Sequence, residues 1–343
     1  MTATTGQQTG RTTEPDRPRA RRARGGSSWT SFALRRLGGL VGVVVVAVVV
    51  TFVIVPLIPG DPAVSAAGPD ATVDQIARVR AELGLDRPML ERFLDYVGGL
   101  LQGDLGHSFS LNAPVSEVVL RRLPFTAGLA FLALLVVLAV AVPLGMAVGA
   151  LTRGGRRRRL DSAFGYTTAF VAAIPPYVMA TLLVLLFAVT LQMLPPAYTR
   201  SQPGLSMLLP ALALSIPSIC LIARVVRRET AVVLEQDYLR TARGWRLGTL
   251  RTAARYALPN LLTSTLTLSG IILVGMLGGA ISVETVFGWP GLGLGVVNAV
   301  ATKDYPLVQG IVLVLAVLSA LMTMLVDVLL GIVDPRVRGG QHG

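Results

Sequence analysis

Six long apolar runs, separated by polar stretches of very different length, dominate the chain; they cover about 37–58, 124–152, 163–190, 204–223, 257–283 and 305–330. Each reaches the roughly 20 residues that a helix needs to cross a ~30 Å hydrocarbon core. A lipid-embedded segment must satisfy its own backbone hydrogen bonds, so helices are the expected form. The pattern predicts an all-α polytopic membrane protein with six transmembrane helices.

The polar stretches carry their own periodicity. Between the first two runs, 59–122 forms the sizeable segment outside the membrane on that side. Within it Val73 to Leu83 and Pro88 to Leu101 place apolar residues at helical spacing, and Gly84 and Asp86 to Pro88 break them into two short helices. The longest break on the opposite side is 224–256. There Leu234, Tyr238 and Ala242 fall at i, i+4 and i+8, and Gly244 and Gly248 end the helix near Arg243. Residues 1–30 hold almost no apolar side chains and are expected to be a disordered basic tail, which leaves 31–343 as the transmembrane domain. The first run is too long for the 7 to 15 residue core of a cleaved secretory signal, so it is read as an uncleaved span.

Breaks inside the runs add detail. Pro175 and Pro176 in the third, and Pro210 and Pro217 in the fourth, remove backbone donors and are expected to bend those helices. After the fifth run, ETVFGWPGLG (Glu284 to Gly293) concentrates glycine and proline, which allows the backbone to fold back tightly against the bundle. Asp327 in the sixth lies near the inner end and is read as structural.

Composition agrees with the pattern: 52% of the residues are hydrophobic and only 15% are charged. Charge adds orientation. With the N-terminus inside, 23 of the 31 basic residues face the cytoplasm, and the other face carries eight basic and 11 acidic residues, Asp61, Asp104, Glu117, Glu284 and Asp304 among them. The positive-inside rule therefore favours both termini in the cytoplasm. Trp29, Trp245 and Trp289 all fall at or beyond span ends, as interfacial aromatics do. The net charge of +12 is accounted for by topology, and no nucleic-acid motif accompanies it. The four arginines Arg156 to Arg159 read as a topology signal and as a contact for membrane lipid.

Several chemistries are excluded. The sole lysine, Lys303, is followed by aspartate, so no phosphate-binding loop with its lysine exists. Two histidines, His107 and His342, and one cysteine, Cys220, cannot build an ordinary His/Cys metal cluster. No cofactor, metal or catalytic group is expected on this chain.

The stretch from Glu235 to Pro259 is similar to the cytoplasmic loop of the inner-membrane permease subunits of ABC importers, and DYLRTAR (Asp237 to Arg243) resembles the form in the dipeptide, oligopeptide and nickel branch. The superfamily loop reads Glu-Ala-Ala, three residues, Gly, nine residues, Ile-x-Leu-Pro. On this chain Ala242, Leu258 and Pro259 agree, while Arg240, Thr241, Arg246 and Tyr256 depart. PGDPA, ELGLDRP and GDLGHS in the segment between spans one and two, together with ETVFGWPGLG and KDYP, resemble the same branch. The resemblance implies the type I ABC importer fold, with a small helical external segment between helices 1 and 2. It also implies a second permease subunit, two ATPase subunits that carry the ATP and Mg, and an external substrate-binding protein. The contacts to an ATPase would be Glu235, Asp237, Tyr238, Arg240, Thr241, Ala242, Arg243, Leu247, Gly248 and Pro259. Asp104, His107, Glu117 and Trp289 are candidates for docking the binding protein. For the external segment, a structural cap over the span ends and a docking platform are both open readings.

The rival is a secondary transporter or channel working alone. It predicts ionisable groups in mid-span and an inverted repeat, and the sequence shows neither. A membrane-embedded enzyme would need a nucleophile, a metal or an acid/base cluster.

Overall fold

A computed structural model describes residues 28–54, 61–68, 70–236 and 258–333. The expected N-terminal tail up to residue 27, most of the expected ATPase-contacting loop and the C-terminal DPRVR lie outside the described residues.

The first span is α1 (Ser28–Ile54). Its helix begins inside the stretch expected to be tail. The segment that follows holds α2 (Pro62–Ala67), α3 (Val73–Glu82) and α4 (Met89–Leu101). Local chemistry sets these starts. The Asp61 side chain accepts from Ala63 N at 2.9 Å, and Thr72 and Gln75 form a reciprocal capping box on α3. A two-residue antiparallel hairpin follows, β1 (His107–Ser108) with β2 (Ala113–Pro114), in the register His107 to Pro114.

Among the described residues five helices are long and apolar enough to cross a membrane, and a bent pair makes six when counted as one span. α5 (Val115–Thr152) continues as one helix across Pro124 and Pro143. The third span is broken: α6 (Arg158–Ala172) and α7 (Pro176–Leu183) with its π-helical continuation to Thr190 meet at 96°. Pro175 and Pro176 stand at that break, where their missing N–H groups end one helix and start the next. The fourth span is unbroken. α8 (Pro203–Val233) continues as one helix through Pro210 and Pro217 and runs past the expected end at 223. α9 (Leu258–Phe287), the short α10 (Leu292–Ala301) and α11 (Tyr305–Val333) complete the order.

The core sits along α5 and α8. Leu129, Ala133, Val137, Ala141, Gly145 and Gly149 recur every four residues on α5, and all six are buried. Small residues let the backbones approach: a Cβ on Gly145 would lie 2.7 Å from the Ala223 carbonyl, and one on Gly149 would lie 2.6 Å from the Arg227 carbonyl. Ser215 Oγ bridges the pair, donating to Ala133 O at 3.1 Å as well as to Ala211 O within its own helix.

The bundle thus has two unlike ends. One carries the α2–α4 segment, the hairpin and α10, and is called the segment end below. The other carries Arg153 to Arg159 and the tail of α8, and is called the arginine end.

Candidate functional site

At the segment end, two carboxylates that the sequence reading counted among the acidic residues of the outer face are fully buried. Asp304 follows Lys303, whose φ of 55° turns the chain from α10 into α11. Its carboxylate accepts from Ser108 Oγ at 2.5 Å, Ser110 N at 2.9 Å and Ser110 Oγ at 2.7 Å, and from Leu307 N at the start of α11. The GDLGHS and KDYP phrases, almost 200 residues apart, are therefore one joint that pins the hairpin onto the sixth span.

Glu284 forms the second joint. Its carboxylate accepts from Thr126 Oγ1 at 2.7 Å and Leu294 N at 3.1 Å, and Thr126 Oγ1 in turn accepts from Leu292 N at 2.8 Å. Arg122 donates to the Gly291 carbonyl at 3.1 Å. Gly291 and Gly293 are required here because a Cβ on either would overlap the carboxylate. Gly288, at φ 57°, makes the reversal that starts the fold-back. ETVFGWPGLG is thus a strap that closes on its own glutamate, and a buried carboxylate with directed donors is a stiff one.

Trp289 corrects an expectation. It is only 3% exposed, and its indole N–H donates to Phe125 O at 3.1 Å. The ring meets Tyr198 and Phe125 edge-on at 5.2 and 5.8 Å. It is a core wedge between spans, and it offers no surface to an external protein. Asp104, His107 and Glu117 are exposed near the hairpin. Asp104 accepts from Gly106 N at 2.8 Å, and Glu117 pairs with Arg121.

The arginine end is built differently. Gly154 and Gly155 turn the chain after α5, and Arg157 holds left-handed φ at the start of α6. Asp161 in the first turn of α6 pairs with Arg227 of α8. Beside it, a cavity of about 870 Å³ opens between α6, α8 and α9, with Arg224, Arg227, Arg228 and Glu229 on its α8 wall. Of the expected ATPase contacts, Glu235 is exposed in the turn that ends α8, and Pro259 falls in the first turn of α9. Asp237, Tyr238, Arg240, Thr241, Ala242, Arg243, Leu247 and Gly248 lie outside the described residues. No group of three or more His, Cys, Asp or Glu that could hold a metal is present among the described residues.

Comparison with known proteins resolves the class. The family model for the binding-protein-dependent transport system inner membrane component matches residues 141–339, and the model for its N-terminal part matches 29–130. The chain belongs to this family. The permease is 38% identical over 285 residues to a putative peptide transport system permease protein of Brucella abortus, covering 81% of this chain and 90% of that one. It is 34% identical, with the same coverage, to a probable peptide ABC transporter permease of Sinorhizobium fredii. A glutathione transport system permease of Salmonella typhimurium is 36% identical over 280 residues, covering 81% of this chain and 89% of that protein. In fold the permease matches a chain of the methionine ABC transporter MetNI in inward-facing conformations, with a TM-score of 0.51 at 16% identity over 63% of this chain and 96% of that one. The permease is thus a multi-pass inner-membrane subunit of an ABC importer with the type I fold, and it is a transport component rather than an enzyme.

Proposed function

We propose that this permease forms one half of the pathway of a peptide importer, pairs with a second permease, and is driven by two separate ATPase subunits through the stretch Glu235 to Gly248. ATP and Mg belong to those partners. Substrate arrives from an external binding protein at the segment end, where Asp104, His107 and Glu117 are exposed. Both termini face the cytoplasm, together with Arg156 to Arg159 and the tail of α8, as the distribution of arginine favours.

The observation that carries the peptide reading is the extent of the likeness: relatives named for peptide transport align over 81% of this chain and about nine-tenths of their own length. Glutathione is itself a small peptide, so the relative named for it falls within the same substrate class. The deciding experiment reconstitutes the permease with its partner subunits and binding protein in vesicles and follows labelled di- to pentapeptides. ATP-dependent accumulation of peptide, absent when the ATPase subunits are omitted, is the expected result. ATP-driven uptake of another solute class with no peptide accumulation would overturn the peptide assignment.

A further inference from the structure

A second cavity lies at the segment end, beside the Asp304 joint and apart from the α5–α8 core. Its volume is about 620 Å³, and it is walled by α1, the α2–α4 segment, the hairpin and the start of α11. Two of its walls mark its depth. Phe52 lies six residues before the end of the first apolar run, 37–58, and Tyr305 opens the sixth, 305–330. The cavity therefore straddles the boundary between hydrocarbon and headgroups.

Its chemistry is divided in the same way. Phe52, Leu83, Leu85 and Phe109 supply apolar wall, and the charged lining groups are Asp61, Arg80 and Arg92, with His107 beside them. Asp61 is already committed, to Arg80 and to the amide at the start of α2. Arg92 is different. Elsewhere at this end Arg80 and Arg87 hold carboxylates, Arg121 holds Glu117 and Arg122 holds a carbonyl. Arg78 and Arg200 are exposed to solvent. Arg92 is half-buried, faces the cavity and has no ion-pair partner among the described residues. A guanidinium held partly out of water without a counter-ion favours binding an anion, and its planar fork fits phosphate oxygens two at a time.

We propose that this cavity binds the phosphate of an anionic phospholipid on Arg92, with the side chains of His107 and Gln309 as neighbouring hydrogen-bonding groups and an acyl chain lying along α1. The exposed valines Val45, Val46, Val49 and Val53 on α1 supply an apolar track below Phe52. A zwitterionic lipid gains less here, because among the described residues Asp61 is the one lining carboxylate and Arg80 already holds it, which leaves none for a choline. The site is independent of which solute is transported.

The test uses the permease with its partner subunits in phosphatidylcholine nanodiscs, titrated with dioctanoyl-phosphatidylglycerol, dioctanoyl-phosphatidylcholine or inorganic phosphate and read by native mass spectrometry. The unmodified protein is expected to take one phosphatidylglycerol per chain, at least tenfold more tightly than the choline lipid. R92Q should lose that preference, while R121Q, which removes an exposed arginine of the same segment, should keep it. Equal binding of the two lipids by the unmodified protein would overturn the proposal without need of a variant. So would inorganic phosphate binding as tightly as the lipid, which would mark a free-anion site. An R92Q protein that keeps its lipid preference but no longer associates with the binding protein would assign Arg92 to protein docking instead.

Discussion

The two ends of this bundle are held by different physics. At the segment end two fully buried carboxylates, Glu284 and Asp304, gather donors from elements far apart in sequence. At the arginine end the helices meet through bare glycine, and the cross-helix ion pair of the α8 tail, Arg227 with Asp161, is roughly one-third exposed. Buried directed bonds have one good geometry and resist displacement, whereas a partly exposed ion pair is weaker and more adjustable. The segment end thus suits a fixed platform, and the arginine end suits the place where a motion is received.

That contrast can be broken by mutation, most strongly at Glu284. E284A strips the acceptor from Thr126 Oγ1 and Leu294 N inside the bundle, and each orphaned buried donor costs about 1–3 kcal/mol. The expected result is a large fall in the melting temperature in detergent, with E284Q falling less because it keeps one oxygen acceptor. Equal melting temperatures for E284A and wild type would show that the strap is not held by its glutamate.

A smaller loss is expected at Gly145. Alanine is the better helix former by about 1 kcal/mol, yet its methyl would meet backbone, the Ala223 carbonyl, which cannot rotate away. Overpacking of this kind costs about 1–3 kcal/mol, so G145A should destabilise on balance. A stabilised G145A protein would mean that α5 and α8 do not pack this closely in the membrane.

D304N should cost less again, on the order of 1–2 kcal/mol, because the amide keeps an oxygen for one serine while losing charge-assisted bonds. Its clearer signature is local: protease sensitivity should rise at the hairpin 107–114 and stay unchanged at the arginine end. R227Q should change stability least, by roughly 1 kcal/mol or less for a partly exposed pair. A melting temperature lowered as far as in E284A would erase the distinction between the ends.

How much of this was legible in the sequence follows the same divide. Apolar runs of ~20 residues announce spans directly, and helical spacing placed α3 and α4 to within a residue or so. Prolines were ambiguous. Pro175 with Pro176 broke a span, whereas Pro210 and Pro217 sit within α8, because a helix packed among neighbours can re-satisfy the freed carbonyls. Trp289 was read as interfacial because an indole at a span end ordinarily is, and the charge count placed Glu284 and Asp304 on the outer side without saying whether they are buried. Their burial depends on partners more than 150 residues away. One signal was present: a glutamate followed by glycines at 291 and 293 is what a chain needs to wrap its own carboxylate. The small-residue ladder from Ala133 to Gly149 was also readable, as a repeat of four, but was hidden within a uniformly apolar run.

The central claim is that stability is set at the segment end and coupling at the arginine end. The most direct test is charge reversal at R240E in the reconstituted importer, with ATP hydrolysis, peptide uptake and melting temperature measured on one preparation. ATP hydrolysis should persist, uptake should fall at least tenfold, and the melting temperature should stay within about 2 °C of wild type, as a role in coupling rather than in stability requires. Normal uptake alongside normal hydrolysis would remove Arg240 from the coupling path and contradict the account.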